Sequence, residues 1–139
     1  MKPQELSIRN LVCYNDKVIK VEMITKHKIG YHTKPNETRM NYARLCEIEP
    51  IPITDELLLK IGFRKGRNGY FNYIDYNDEL SIRFSPNYTF IEHANLYFNP
   101  EDVTETNYSS ILEFPNTLQL HTLQNIWYSL TDKELEIKL

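Results

Sequence analysis

Glycine is scarce in this chain, four among 139 residues. That excludes a phosphate-cradling glycine loop, which needs closely spaced glycines to bring backbone N–H groups onto an anion. Cysteine is scarcer still. Cys13 and Cys46 form no C-x-x-C pair, so a structural zinc site is not expected; the two could in principle pair with each other, but without a secretory signal two reduced thiols are the better reading. No apolar run reaches the length that spans a bilayer, and the opening MKPQELSIRN lacks the apolar stretch of a secretory leader. These absences predict a cytoplasmic protein with two reduced thiols and no membrane association. Catalytic signatures are missing too. There is no nucleophile elbow and no H-E-x-x-H run, and Ser109-Ser110 has no local context that would activate it. The expectation is a protein that is not an enzyme and carries no cofactor and no metal.

What is abundant is aromatic. Ten tyrosines and six phenylalanines favour β-structure, because such rings suit a pleated, half-buried surface. The net charge of −3 hides an asymmetry. Residues 1–70 carry 13 Lys/Arg against 8 Asp/Glu, whereas residues 71–139 carry 3 against 11. A basic face attracts polyanions only where it is locally dense. The densest stretch runs from Lys26 to Arg44, with a second cluster at Arg64, Lys65 and Arg67.

The predicted fold class is α+β, mainly β, in two lobes. Residues 1–53 read as a small SH3-like barrel. LVCY and KVIKVEMI flank Asn15-Asp16, a pair that tolerates positive φ and suits a two-residue hairpin turn. That register puts Tyr14 opposite Lys17 and Val12 opposite Ile19, with Val12, Tyr14, Ile19, Val21 and Met23 on one core face. KHKIGYHTKPNETRMN reads as a polar loop or wide hairpin tip, and YARLCEI as a returning strand. Pro50 and Pro52 mark the hinge between lobes.

Residues 54–139 read as a helix plus an antiparallel meander sheet packed by a C-terminal amphipathic helix, the two lobes together making one compact unit. Thr54 can cap a short helix whose first turn holds Asp55 and Glu56, and Gly62 sits where a left-handed ending belongs. The expected role of this helix is a lid on the barrel's open end. A second hairpin turns at Asn77-Asp78 and gathers Phe71, Tyr73, Leu80, Ile82 and Phe84 on one face. Near the end, LQLHTLQNIWYSL places Leu120, Leu123, Ile126, Trp127 and Leu130 on a single helical stripe. Asn116 and Gln119 stand at capping-box spacing before it. Leu135, Ile137 and Leu139 alternate as a short strand would.

Three blocks, SIRNLVCYNDKVIKV, IEPIPITDELLLKIGF and LHTLQNIWYSLTDKELEI, together resemble an uncharacterised family of short proteins. Its members occur in bacteriophages, prophages and mobile elements of gut Bacteroidetes. The family pattern is approximately "LRIGN", "PIPLTEEWLLKFGF" and "VHxLQNLYFALTGEEL", in that order along the chain. Arg9 stands where that pattern shows Ile-Gly, Ile53 replaces Leu, and Asp132 replaces Gly. The resemblance implies a mobile-element setting and brings no catalytic motif.

Four candidate sites remain. His27 and His32, with Cys13 and Cys46, lack the tight ligand pairs of a zinc site. Asp75, Asp78 and Glu79 fit the decoration of a hairpin tip better than paired catalytic carboxylates. His121, Gln124 and Tyr128 border the helical stripe and are the candidate small-ligand edge. The basic segment carries the most functional weight. Lys26, Lys28, Lys34, Arg39 and Arg44, interleaved with Tyr31 and Tyr42, have the ingredients for phosphate contacts plus base stacking, with Arg64, Lys65 and Arg67 as a second patch. The first reading is a non-enzymatic accessory protein of a phage or integrated element, acting through an unknown protein partner or its own homo-oligomer; the alternative is a nucleic-acid-binding module using the basic segment 26–44.

Overall fold

The computed structural model describes residues 1–66, 71–75, 80–84, 88–93, 110–115, 118–135 and 137. The chain is mixed α and β; the described residues form ten short strands in small antiparallel sheets and two α-helices. It divides into two units: Met1–Pro52 with Gln119–Leu135, and residues 53–118 with 136–139. Among the described residues, no helix is long and apolar enough to cross a membrane.

The first unit begins with the hairpin β1 (Leu11–Tyr14) and β2 (Lys17–Lys20). Asn15 and Asp16 both hold positive φ, 50° and 59°, as a primed turn requires. The register follows: Tyr14 pairs with Lys17 and Val12 with Ile19. A second sheet, ordered β3 (Met23–Ile24), β4 (Lys28–Tyr31), β5 (Asn41–Arg44), stands separately. The two sheets share one core: Leu6, Val12, Ile19, Val21, Ile29, Tyr31, Ala43, Leu45 and Ile48.

Three expectations change here. The described residues form no closed barrel. Val21 and Glu22 belong to no strand. Val21 bonds back to Asn10 and Arg9, while Glu22 N–H donates to Gly30, so the chain leaves one ladder for another instead of continuing a ring. That break also changes which side chains face inward. Ile24, not Met23, packs against the core, and Met23 pairs with Gly30 on the opposite face. Finally, Lys28–Tyr31 is a strand and not a loop tip, with Ile29, Gly30 and Tyr31 buried.

The described residues of the second unit form a five-stranded antiparallel sheet in sequential order: β6 (Arg64–Lys65), β7 (Phe71–Asp75), β8 (Leu80–Phe84), β9 (Tyr88–His93) and β10 (Ser110–Pro115), with a register shift between Ser110 and Leu112. Phe71 pairs with Phe84 and Tyr73 with Ile82, the register expected of the second hairpin. Its turn, Asn77-Asp78, lies outside the described residues, as do Asp78 and Glu79.

Helix α1 (Asp55–Lys60) is defined by its ends. Thr54 Oγ1 accepts from Leu57 N–H at 3.2 Å. At the other end Phe63 N–H donates to Leu58 O and Gly62 N–H to Leu59 O, the paired bonds of a Schellman ending, with Gly62 at φ 98°. Phe63 then packs on Tyr73 and Phe84 at ring separations of 5.4 and 5.5 Å. The helix therefore belongs to the second unit, and the described residues hold no closed barrel for it to cap. A Cβ at position 62 would meet nothing within 4 Å, so only backbone strain opposes Gly62→Ala. That variant is expected to lose about 1 kcal/mol in chemical denaturation, and Gly62→Asn less, because asparagine tolerates the left-handed region.

Helix α2 (Leu120–Thr131) clusters with the first unit, although its sequence reads as part of the second lobe. Its polar edge explains this. Gln124 Oε1 accepts Leu11 N–H at 2.9 Å, Asn125 Oδ1 accepts Asn10 Nδ2 at 2.8 Å, and Asn125 Nδ2 donates to Glu5 O at 3.3 Å. The helix also starts later than the Asn116 cap predicts. Gln119 is still extended, bridged to Pro52, and Leu120 N–H donates to Ile51 O at 2.9 Å. A backbone carbonyl thus satisfies the first N–H in place of a side chain; Asn116 lies outside the described residues. Leu120, Leu123 and Trp127 are buried as expected, but Leu130 is exposed and Thr131 takes the inner position. Leu135 and Ile137 are in no strand; Leu139 lies outside the described residues.

Glycine scarcity has a structural counterpart. Arg9 (φ 85°) and Asp132 (φ 57°), neither a glycine, occupy left-handed backbone. Asp132 ends α2 as its left-handed cap. Arg9 is held by its N–H to Val21 O at 2.7 Å, by Glu134 at 3.0 Å, and by the Tyr128 ring 5.0 Å from its guanidinium carbon.

Candidate nucleic-acid interface

The strand β4 is exposed at Lys28 and buried at Ile29 and Tyr31. On β5, Tyr42 and Arg44 are exposed and Ala43 is buried. Alternation along each strand therefore sends Ile29, Tyr31 and Ala43 into the core and Lys28, Tyr42 and Arg44 outward. Lys28 is the direct cross-strand partner of Arg44. Like charges facing each other across a ladder are destabilising. No carboxylate lies within ion-pair distance of Lys2, Lys26, Lys28 or Arg44 among the described residues.

These cations line one open groove of about 650 Å³. Lys26 and His27 come from the β3–β4 turn, Lys28 from the start of β4, Arg44 from the end of β5, Cys46 from the 3-10 turn (Leu45–Glu47) that follows it, and Lys2 from the N-terminal segment. That segment is anchored by the Met1 amino group donating to Leu45 O at 3.2 Å. The turn is shaped by Thr25 Oγ1, which donates to Lys28 O and accepts Lys28 N–H. Lys2 has no local signature marking it as part of a basic site. Only the tertiary fold brings it to residues 26–44.

The other basic candidates are not among the groove's lining residues. Lys34 and Arg39 are exposed on the loop between β4 and β5. Glu37 organises that loop by accepting Thr33 N–H, Thr33 Oγ1–H and Asn41 Nδ2–H, at 2.9, 2.8 and 3.3 Å. The bonds from Thr33, above all its hydroxyl, hold the Glu37 carboxyl below its ordinary range. Tyr31 is removed as a stacking platform. It is 8% exposed, packs edge-on against Tyr14 at 6.0 Å, and burial pushes its phenol up. The sequence reads Tyr31 as loop, whereas strand pairing turns its ring inward. Arg64 and Lys65 are exposed on β6 of the second unit, and Arg67 lies outside the described residues.

The small-ligand trio does not assemble. Gln124 and Tyr128 line a cavity of about 170 Å³ with Arg9 and Asn125. Both ends of the Gln124 amide are already engaged, by Leu11 N–H and Arg9 O, and Arg9 is held by Glu134 and Tyr128. These polar groups are spent on docking the helix. His121 is not among the cavity's lining residues and is 5% exposed. Of the histidines in the β3–β5 region, His27 lines the groove and His32 Nδ1 contacts the Glu22 carboxylate. Among the described residues no three His, Cys, Asp or Glu stand close enough to hold a metal ion.

His121 has a consequence for stability. Burial pushes its imidazole below 6.5, against the opposing pull of Glu5, and Nδ1 is buried without a partner among the described residues. The unfolded chain therefore binds this proton more readily than the folded one. His121 costs nothing above pH 6.5 and destabilises progressively as pH falls towards the folded-state value. The slope is up to about 1.4 kcal/mol per pH unit. Urea midpoints at pH 7.5 and 5.5 should differ more for the wild type than for His121→Leu. Equal differences would dismiss the claim.

Comparison of the chain with family models, with characterised proteins and with solved structures yields no match, so the groove has to be interpreted from its own chemistry.

Proposed function

We propose that this protein is a non-enzymatic binding module whose first unit holds a nucleic-acid backbone in the groove of Lys2, Lys26, Lys28 and Arg44. One observation carries this reading: the cross-strand Lys28–Arg44 pair faces the groove with no carboxylate within ion-pair distance of either side chain among the described residues, the adjacent Glu47 carboxylate accepting the Arg44 backbone N–H at 3.3 Å. A fold gains nothing from placing like charges across a ladder, whereas a phosphate between them converts repulsion into charge-assisted hydrogen bonds. The chain's net charge of −3 does not oppose this, because attraction depends on local density. The family resemblance supplies the setting, an accessory protein of a phage or integrated element acting in the bacterial cytoplasm.

The test is fluorescence anisotropy with labelled oligonucleotides across a salt series. Binding through the groove should weaken linearly in log–log form, with a slope reflecting about two to four phosphate contacts, each worth ~0.7 to 0.9. Absence of binding at low salt sinks the proposal.

A second reading, contact with a protein partner or another copy, is favoured by Ile8 and Tyr128. These are exposed hydrophobic residues, 58% and 39%, on one cavity rim. Light scattering after size exclusion would show self-association as a mass above the monomer's, removed by Ile8→Asp.

A further inference from the structure

The groove has a neighbour that phosphate binding alone does not use. Tyr42 is 50% exposed on the outward face of β5, two residues from Arg44 and directly across the ladder from Gly30. The Lys28 ammonium sits 4.2 Å above the centre of its ring. Tyr42 and Arg44 point the same way, about 7 Å apart along the strand, a spacing on the order of one nucleotide of extended backbone. An aromatic ring, a cation over it and a second cation one step further form a stacking platform beside phosphate ligands.

Resting on the phosphate groove proposed above, we infer that its ligand is single-stranded nucleic acid, with one base stacked on Tyr42. In a duplex each base is stacked between its neighbours, so a tyrosine on a sheet face has nothing to stack on. In a single strand each base has a free π-face, and stacking on an aromatic side chain is tolerant of sequence. Lys28 then has two partners in turn. In the free protein it lies over the ring; with the strand bound it meets the phosphate next to the stacked base, leaving the ring to the base. Gly30 keeps the ladder position opposite Tyr42 free of a Cβ, and the Met40 side chain packs into the space that one would occupy. The platform is thus bordered by apolar surface, with its cations on one side.

The test compares a labelled 12-nucleotide oligo-dT with a duplex of equal length, using wild type, Tyr42→Ala and Tyr42→Phe, at one salt concentration and then across a salt series. Wild type should prefer the single strand by roughly tenfold or more. Tyr42→Ala should weaken single-strand binding by about 5- to 100-fold, with little change in salt slope, because no phosphate contact is removed. Tyr42→Phe should retain binding. Duplex affinity should be unaffected by either change. Thermal unfolding of each variant controls for folding. Equal affinity for duplex and single strand, or a Tyr42→Ala variant binding like wild type, overturns this inference and leaves the phosphate groove standing. Failure of both probes to bind removes the groove itself.

Discussion

The Lys28→Glu, Arg44→Glu double variant should bind oligonucleotides at least about 100-fold more weakly than wild type while folding normally. A charge-assisted contact contributes roughly 1.5 to 3 kcal/mol, so losing two such contacts corresponds to two or more decades of affinity, and reversal adds repulsion. The salt slope should fall by about two contacts' worth. Stability should stay within about 1 kcal/mol of wild type, because both side chains are exposed. One like-charge cross-strand pair also replaces another. The main loss is the Lys28–Tyr42 contact, about 0.5 to 1 kcal/mol at an exposed site. Anisotropy measures the first effect and urea denaturation the second. Retained affinity in a folded variant would show that the ligand, if any, sits elsewhere. Lys34→Glu, on the loop outside the groove lining, serves as the comparison and should change affinity by only a few-fold.

The largest stability effect should come from Trp127→Ala, about 3 to 5 kcal/mol. Trp127 is 1% exposed, and its helical neighbours Leu120 and Leu123 are fully buried. Deleting the indole removes its transfer free energy and leaves a cavity that rigid neighbours fill only in part. A domain stable by 5 to 15 kcal/mol in total would be brought near its threshold. Tyr128→Ala, one residue on but 39% exposed, should cost no more than about 1 kcal/mol. Because Trp127 is the sole tryptophan, unfolding has to be followed by circular dichroism. A Trp127→Ala midpoint close to that of Tyr128→Ala would contradict the burial of this helix face. The polar edge offers a separate handle, since Gln124 and Asn125 tie the helix to residues 5–11 without contributing to the apolar stripe.

The basic groove is only half legible in the sequence because of which residues meet in it. Lys26, Lys28 and Arg44 are close in sequence, and their charge density marks them. Lys2 joins them through the 44-residue contact from Met1 to Leu45, which no local pattern announces. Tyr31 and Tyr42 look alike in the sequence, but pairing of β4 with β5 sends Tyr31 inward and leaves Tyr42 in solvent.

By itself the sequence determined the features whose physics acts within a few residues. The Asn15-Asp16 turn and its register follow from the tolerance of those residues for positive φ. The two ends of α1 follow from a threonine cap and a glycine ending. The register of β7 against β8 is the one a two-residue turn at Asn77-Asp78 sets. Tertiary structure alone decided the parity change after Val21, the open arrangement of the first unit's sheets, and the unit to which α2 belongs. Each depends on hydrogen bonds between groups distant in sequence, such as Leu11 to Gln124, 113 residues apart. Local propensity carries no information about such partners, because burial is settled by whichever long-range contacts satisfy the most polar groups while covering apolar surface.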